Sequence, residues 1–247
     1  MSAVKADPRD QLELLRLQDL DTAIVKATRS IANPPQAKAL AELAPIVAEV
    51  RSRRLGVTGE VEDARIELKR IESDVTVVEA RMARDTERVQ QTASVKDVAA
   101  LEAELGALRK RRGDLEDIEL AIMQRIEDLE STITDIDAEG ADAEAEVATL
   151  EAERDEAVAA FERTRSDAIA DRAAVASALP TELVALYQKQ HDRYGVGAAR
   201  LVGGVSLGSN MKLSPSDLAI VHAAAADEVV LCPESGAVLI RDDNSWA

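Results

Sequence analysis

A chain of 247 residues with one Trp, one Phe and two Tyr has few of the large side chains that anchor a thick globular core, and 31% of its residues are charged. Rich in Ala, Glu, Leu, Arg and Asp and sparing in Gly and Pro, it reads as long helices and coiled coil. The net charge of −17 disfavours phosphate backbones and anionic membranes as main partners, and the single cysteine, Cys232, excludes an internal disulfide or a cysteine-only metal site within one chain.

The opening residues, MSAVKADPRD, carry no apolar core of a signal peptide, and no later stretch approaches the length of a membrane span, so a cytoplasmic location is expected. From about Asp7 to Ile31 runs a first amphipathic helix, with Asp7-Pro8 fitting an N-cap followed by proline at the first helical position. Asn33-Pro34-Pro35 interrupts it, because two prolines remove two backbone donors and bar the preceding residue from the α region. A second helix spans about Gln36 to Gln91. Its best-patterned stretch is Val61, Ala64, Leu68, Ile71, Val75, Val78, Met82 and Val89, a heptad seam. Pro45, Gly56 and Gly59 predict bends or frays in its earlier part.

Thr92-Ala93-Ser94 breaks the rhythm, and Ser94 with Asp97 resembles a capping box with Asp in place of Glu. The third helix then keeps heptad spacing through Leu101, Leu105, Leu108, Leu115, Ile122, Ile126, Leu129, Ile133, Ile136, Ala143, Val147, Leu150, Ala157 and Phe161, and stops near Ala178. Arg112, Glu119, Gly140 and Arg154 occupy the seam positions this series skips. A pattern sustained over about eight heptads is a strong coiled-coil signal.

Two long helices joined by a short connection lie antiparallel. With the turn centred near residue 93, mirror positions bring Arg65, Lys69 and Arg70 to Glu116, Asp117 and Glu119. They also bring Arg109-Lys110-Arg111-Arg112 to the region of Glu72, Asp74 and Glu79, and Arg51, Arg53 and Arg54 to Asp135 and Asp137. The helix rise makes such a hairpin roughly 100–125 Å long. The Pro-Pro site is read as a kink in one arm, with a three-helix bundle as the alternative.

After Pro180 the character changes. Leu183, Leu186 and Tyr187 predict a short neck helix ending at Tyr194-Gly195, and Ser214-Pro215 reads as a helix start. Glu228 to Cys232, the turn Pro233-Glu234-Ser235-Gly236, and Ala237 to Arg241 read as a β-hairpin.

Few residues carry chemistry. Gly204-Val205-Ser206-Leu207-Gly208 matches the nucleophile-elbow pattern. That elbow needs a strand before it, a helix after it and a parallel sheet beneath, so a glycine-rich turn is the better reading. His191 and His222, the only histidines, cannot close a four-ligand zinc site with Cys232 alone and read as surface residues, and Cys232 reads as a small apolar residue at a strand end. Arg109 to Arg112 could touch nucleic acid, but nearby acidic partners and the lack of aromatics favour a solvated, paired face. The acidic stretch from Asp135 to Glu156 faces too few cations to balance it, and is either a solvated face or a docking surface for a basic partner.

The order of parts resembles a bacterial family built from a long coiled-coil hairpin followed by a four-cysteine zinc ribbon, catalogued as a domain of unknown function. The likeness rests on Asp7-Pro8-Arg9-Asp10-Gln11-Leu12 with Leu20-Asp21-Thr22, on Ser94-Val95-Lys96-Asp97 through Leu115-Glu116-Asp117, and on Leu186-Tyr187 with Gly195-Val196-Gly197-Ala198-Ala199. The resemblance aligns the family's two cysteine knuckles with Ser206-Leu207-Gly208-Ser209 and Cys232-Pro233-Glu234-Ser235-Gly236. The metal-ligand positions are then Ser206, Ser209, Cys232 and Ser235, a degenerate set expected to hold no metal and no cofactor. It implies an adaptor or chaperone-like role, some relatives being associated with secretion, flagellar assembly or nucleic acid.

The reading is a mainly α chain. Residues 1–179 form an antiparallel coiled-coil hairpin with a kinked arm, and residues 180–247 a neck helix and a small zinc-ribbon-like α+β domain. Its expected function is that of a non-enzymatic protein-binding scaffold, as monomer or homodimer, with a nucleic-acid-associated factor as the alternative.

Overall fold

The structure, a computed structural model, describes residues 4–246. Helix α1 is Pro8–Ala32, α2 is Ala37–Gln91, α3 is Val95–Ala178 and α4 is Thr181–Tyr194; strands β1 (Ala198–Val202), β2 (Val205–Ser206) and β3 (Met211–Lys212) follow, then α5 (Pro215–Ala223), β4 (Val230–Leu231), β5 (Val238–Ile240) and a 3-10 turn, Asp243–Trp246. The chain divides into two compact units, one of Lys38–Ala152 and one joining Met1–Ala37 to Glu153–Ala247. It is mainly α, with a long helical hairpin and a small C-terminal sheet.

Local signals set the helix ends. Asp7 caps α1 by accepting from Arg9 N at 2.8 Å, with Pro8 in the first turn. Ser94 accepts from Asp97 N at 3.4 Å at the head of α3, the longer and looser version of a cap. Gly195, with φ 78°, closes α4 in the left-handed conformation that glycine adopts without a Cβ penalty.

In the unit Lys38–Ala152, α2 and the facing part of α3 form the hairpin. Val61 and Ala64 are buried, as are Leu101, Leu105, Leu115, Ile122 and Ile136. Leu68, Ile71, Val75, Val78 and Met82 are half-buried between exposed neighbours, so the heptad phase is the one the spacing predicts. The position skipped between Met82 and Val89 holds Asp85. It is 4% exposed, and its carboxylate lies 3.2 Å from Arg88 and 3.9 Å from Arg81.

The expected bends at Pro45, Gly56 and Gly59 do not break α2, which is continuous. Gly56 and Gly59 lie on exposed faces with nothing within 4 Å of a built Cβ, so they cost propensity without disturbing the seam. At seam position Gly140 a Cβ would stand 3.3 Å from Val50 Cγ1, and the missing side chain lets Val50 bury to 4% exposure.

The register differs from mirror symmetry about residue 93. Arg54 reaches Asp137 at 2.5 Å and Arg112 lies 4.0 Å from Glu79, both as expected. Arg65, however, meets Glu130 at 2.8 Å rather than Glu116, Asp117 or Glu119. Arg53 meets Glu139 at 3.0 Å and Arg51 meets Glu144 at 2.8 Å. Each of these partners lies further along α3 than its mirror position. The cause is the tilt of every Cα–Cβ bond toward its helix N-terminus: side chains of α2 lean away from the turn while those of α3 lean toward it. Ion pairs this exposed contribute about 0–1 kcal/mol each, so the buried seam, not the charge lattice, holds the hairpin.

In the other unit the sheet has order β3-β2-β1-β5-β4. β4 and β5 form the expected antiparallel hairpin, with Leu231 opposite Val238. β1 pairs in parallel with β5, Ala198 opposite Val238. Strand β5 is buried on both faces. Val238 and Ile240 join Leu14 and Leu17 of α1, Val175 of α3 and Leu183 and Tyr187 of α4. Leu239 points the other way, to Leu201, Leu213, Val221 and Cys232. Helices thus cover both sides of the sheet, which is why Ala237 to Ile240 is continuously apolar rather than alternating. Residues 4–6 also join this unit: Ala6 N donates to Asp227 O at 2.8 Å and Val229 N to Val4 O at 3.1 Å. Among the described residues no helix is long and apolar enough to cross a membrane.

Candidate functional site

The densest polar arrangement lies where α1, α3, α4 and the start of β1 meet. Asp21 is 7% exposed. Its carboxylate accepts from Arg172 Nε at 2.5 Å, from Arg172 Nη2 at 3.2 Å and from the Tyr187 hydroxyl at 2.7 Å. Arg172 also donates to Gln188 Oε1 at 2.5 Å. Gln18 Oε1 accepts from the backbone N–H of Gly197 at 2.7 Å, tying α1 to the lead-in of β1. Gly197 has to be glycine, because a Cβ there would stand 2.5 Å from the Tyr187 ring.

The electrostatics follow from the pairing. Burial, and then the bond to Asp21, push the Tyr187 hydroxyl far above its ordinary pKa, so it remains a neutral donor. The bond to Asp21 raises the Arg172 pKa against the lowering effect of burial. With two partners already on it, Asp21 is a structural anchor and offers no free base. Beside the cluster a groove of about 560 Å³ runs along α1, lined by Thr22, Lys26, Arg29 and Asn33 and closed by His191 and Gly195.

His191 is therefore not the plain surface histidine expected. It stacks on Tyr187 with ring centroids 6.0 Å apart, and Nε2 lies 4.0 Å from Asp21 Oδ2. His222 lies apart, edge-on to Trp246 at 4.8 Å between centroids.

Sequence spacing carries a signal for Asp21 and Arg172. Leu14, Leu17 and Asp21 follow the three-four rhythm, as do Ala168, Arg172 and Val175. Opposite charges on two facing apolar stripes mark a buried ion pair. The stretches Leu20-Asp21-Thr22, Leu186-Tyr187 and Gly195 to Ala199, which carry the family resemblance, contribute Asp21, Tyr187 and Gly197 to this one cluster.

The tail brings three of the four aligned positions together. Ser206 is fully buried on β2 and Cys232 is 1% exposed, in the turn after β4. Ser235 N donates to Cys232 Sγ at 3.4 Å. Gly208 approaches Ser235 so closely that a Cβ would lie 3.1 Å from its Oγ, and Ser209 Oγ turns instead to Met211 N at 3.3 Å. Burial would raise the Cys232 pKa, but the polar groups turned toward the sulfur, the Ser206 and Ser235 hydroxyls and the Ser235 and Glu234 backbone, outweigh it and lower the value. The Ser206 hydroxyl leans on this sulfur without a hydrogen bond of ordinary geometry to any group. β2 runs into an antiparallel hairpin with β3 rather than a strand-to-helix turn, so Gly204 to Gly208 does not form a nucleophile elbow.

Of the basic run, only Arg112 finds acidic partners, Glu79 and Glu116. Arg109, Lys110 and Arg111 are exposed and make no ion pair among the described residues, contrary to the expected pairing with Glu72 and Asp74; their side chains leave the hairpin flank instead of crossing it. In the acidic stretch, Asp137, Glu139 and Glu144 are taken up by Arg54, Arg53 and Arg51, the three cations expected there, but with two of the partners lying further along α3.

Known proteins share this architecture. The chain is 30% identical over 239 residues to the uncharacterized protein Rv2229c of Mycobacterium tuberculosis H37Rv, the match spanning 96% of this chain and 98% of the relative. The same figures hold for the uncharacterized protein MT2288 of Mycobacterium tuberculosis CDC 1551. A solved structure from Mycobacterium smegmatis is similar with a TM-score of 0.86 at 29% identity, over 96% of this chain and all of that one (100%). CT398 from Chlamydia trachomatis shares the fold, with a TM-score of 0.65 at 17% identity over 94% of this chain and 97% of that one. A family model described as the CT398-like coiled coil hairpin domain matches residues 17–195, a span that includes α2 and α3 and, of the cluster, Gln18, Asp21, Arg172, Tyr187 and Gln188, and stops short of Gly197 and Ser206. On that match the chain belongs to the CT398-like coiled coil hairpin family.

Proposed function

We propose that the chain is a non-enzymatic protein-binding scaffold or adaptor of chaperone-like type, acting in the cytoplasm, with the hairpin as its contact surface and the tail as a metal-free, ribbon-like head. The supporting observation is on α3. Leu120 and Met123 are 65% and 44% exposed and lie three residues apart, so they share one helix face outside the seam. An exposed apolar pair at that spacing is the anchor pattern by which a helix enters a partner's groove.

Capture from native extract with the full chain tests this. The expected result is a defined protein set that is retained after nuclease treatment and lost with Leu120→Ser/Met123→Ser. An unchanged set with the double variant would remove the assigned anchor. A nuclease-sensitive set, with retention falling steeply as salt rises, would favour a nucleic-acid-associated factor instead.

The metal-free head has its own test. Structural zinc requires four good ligands, and hydroxyls are poor ones at neutral pH. Of Ser206, Ser209, Cys232 and Ser235, only Cys232 can supply a thiolate. Purified protein is expected to contain no stoichiometric zinc, and a chelator to leave its melting temperature unchanged. One zinc per chain by elemental analysis would overturn this part of the proposal.

A further inference from the structure

Leu55, Ile66 and Val77 of α2 are 72%, 69% and 64% exposed. They are spaced eleven residues apart. Eleven residues make three turns of helix with a drift of only about 20°, so the three side chains form one stripe. That stripe lies on the face opposite the seam residues Val61, Ala64 and Leu68. Gly59 and Ser73, both small and exposed, fall on the same line.

Charge is ordered about the middle of the stripe. Glu62 and Asp63 flank it before Ile66, and Lys69 and Arg70 flank it after. Asp63, Lys69 and Arg70 are exposed and make no ion pair among the described residues, while Glu62 pairs only with Arg65 of its own helix, at 2.8 Å.

We propose that this face is a self-complementary interface with a second copy of the chain, two α2 helices packing antiparallel about a twofold axis through Ile66. A twofold contact requires that whatever lies a given distance to one side of the axis fits what lies the same distance to the other. About Ile66 that condition holds throughout: Ile66 meets itself, Leu55 meets Val77, Gly59 meets Ser73, and on the two flanks of the stripe Glu62 meets Lys69 and Asp63 meets Arg70. Parallel pairing would set acid on acid and base on base. The inference is independent of the partner-protein reading, since it is measured on the purified chain alone.

Sedimentation equilibrium of the full chain over a wide concentration range is expected to show a reversible monomer–dimer equilibrium. Ile66→Lys places two like charges against each other at the axis and is expected to raise the dissociation constant at least about tenfold. Lys69→Glu/Arg70→Glu is expected to weaken the dimer, and adding Glu62→Lys/Asp63→Lys to restore it, because the full exchange recovers complementarity. Ile66→Cys is expected to form a disulfide-linked dimer under mild oxidation, whereas Leu55→Cys does not, its own copy being about 30 Å away by the helix rise. The native Cys232, 1% exposed, takes no part. All of these substitutions are at exposed positions, and circular dichroism verifies that the helices persist. A wild-type chain that stays monomeric at every concentration would overturn the proposal. So would a dimer indifferent to Ile66→Lys, or one that Leu55→Cys links as readily as Ile66→Cys.

Discussion

Replacing Leu115 with aspartate is expected to destabilise the hairpin unit by about 3–5 kcal/mol, because it puts an unpaired charge at a site with no room for water. Leu115 is 1% exposed, at a seam position seven residues before Ile122, which is also buried. Truncating a buried leucine alone costs about 2–5 kcal/mol, and the buried carboxylate adds to that until it is protonated or the seam opens. Glu130→Ala is the control. Glu130 is exposed and accepts one bond from Arg65 at 2.8 Å, so its loss is expected to cost less than about 1 kcal/mol. Thermal melts followed by circular dichroism separate the two, and equal shifts would mean that the seam has another phase.

Asp21→Ala is expected to cost a similar amount, about 3–5 kcal/mol, through a different route. No apolar packing of consequence is lost. Instead Arg172 keeps its charge with only the Gln188 carbonyl to accept from it, and the Tyr187 hydroxyl loses its 2.7 Å partner. Burial raises the Tyr187 pKa so far that the hydroxyl cannot relieve the imbalance by ionising. Because the groups act together, Asp21→Ala combined with Arg172→Ala is expected to cost less than the sum of the two single changes, by about 0.5–3 kcal/mol. Urea unfolding of the three variants measures this coupling, and strict additivity would show that the cluster is not a unit.

These two sites differ in how plainly the amino-acid sequence announces them. Leu115 belongs to a series of seam positions at alternating spacings of three and four, apolar except at Arg112, Glu119, Gly140 and Arg154, and that rhythm marks the helix and its buried face while the short connection sets its antiparallel partner. Periodicity is local, so it survives in a single sequence. The Asp21 cluster depends on residues 151 and 166 positions apart, and only the anomaly of charged residues in the apolar phase hints at it. The hairpin of β4 and β5 was legible because its two runs adjoin a Pro-Glu-Ser-Gly turn. Strand β1 was not: Ala198-Ala199-Arg200-Leu201-Val202 is short and mixed, and its parallel partner β5 comes some forty residues later. The two-residue strands β2 and β3 are too brief to show any alternation. The hairpin register was legible only coarsely, because a mirror rule counts Cα positions while the ion pairs are made by side-chain tips that lean in opposite directions.

The pairing of residues 4–6 with residues 227–229 bears on how the chain is made. Lys5 reaches Asp227 across 222 positions, and Gln11 donates to the carbonyls of both Ala6 and Ala226. On the ribosome, the segment Lys38–Ala152 can close its seam as soon as its own residues have emerged, since it is a compact unit by itself. The N-terminal helix has no such option. At about 5–20 residues per second it waits roughly eight to thirty seconds for Val175, Leu183 and Tyr187 to be synthesised, and longer for β5, with Leu14 and Leu17 uncovered until the first of these emerge. That interval is when the nascent polypeptide is most exposed to aggregation and to holdase capture. Ribosome-bound intermediates stalled before residue 175 should therefore present a closed hairpin seam and an unpartnered amphipathic first helix.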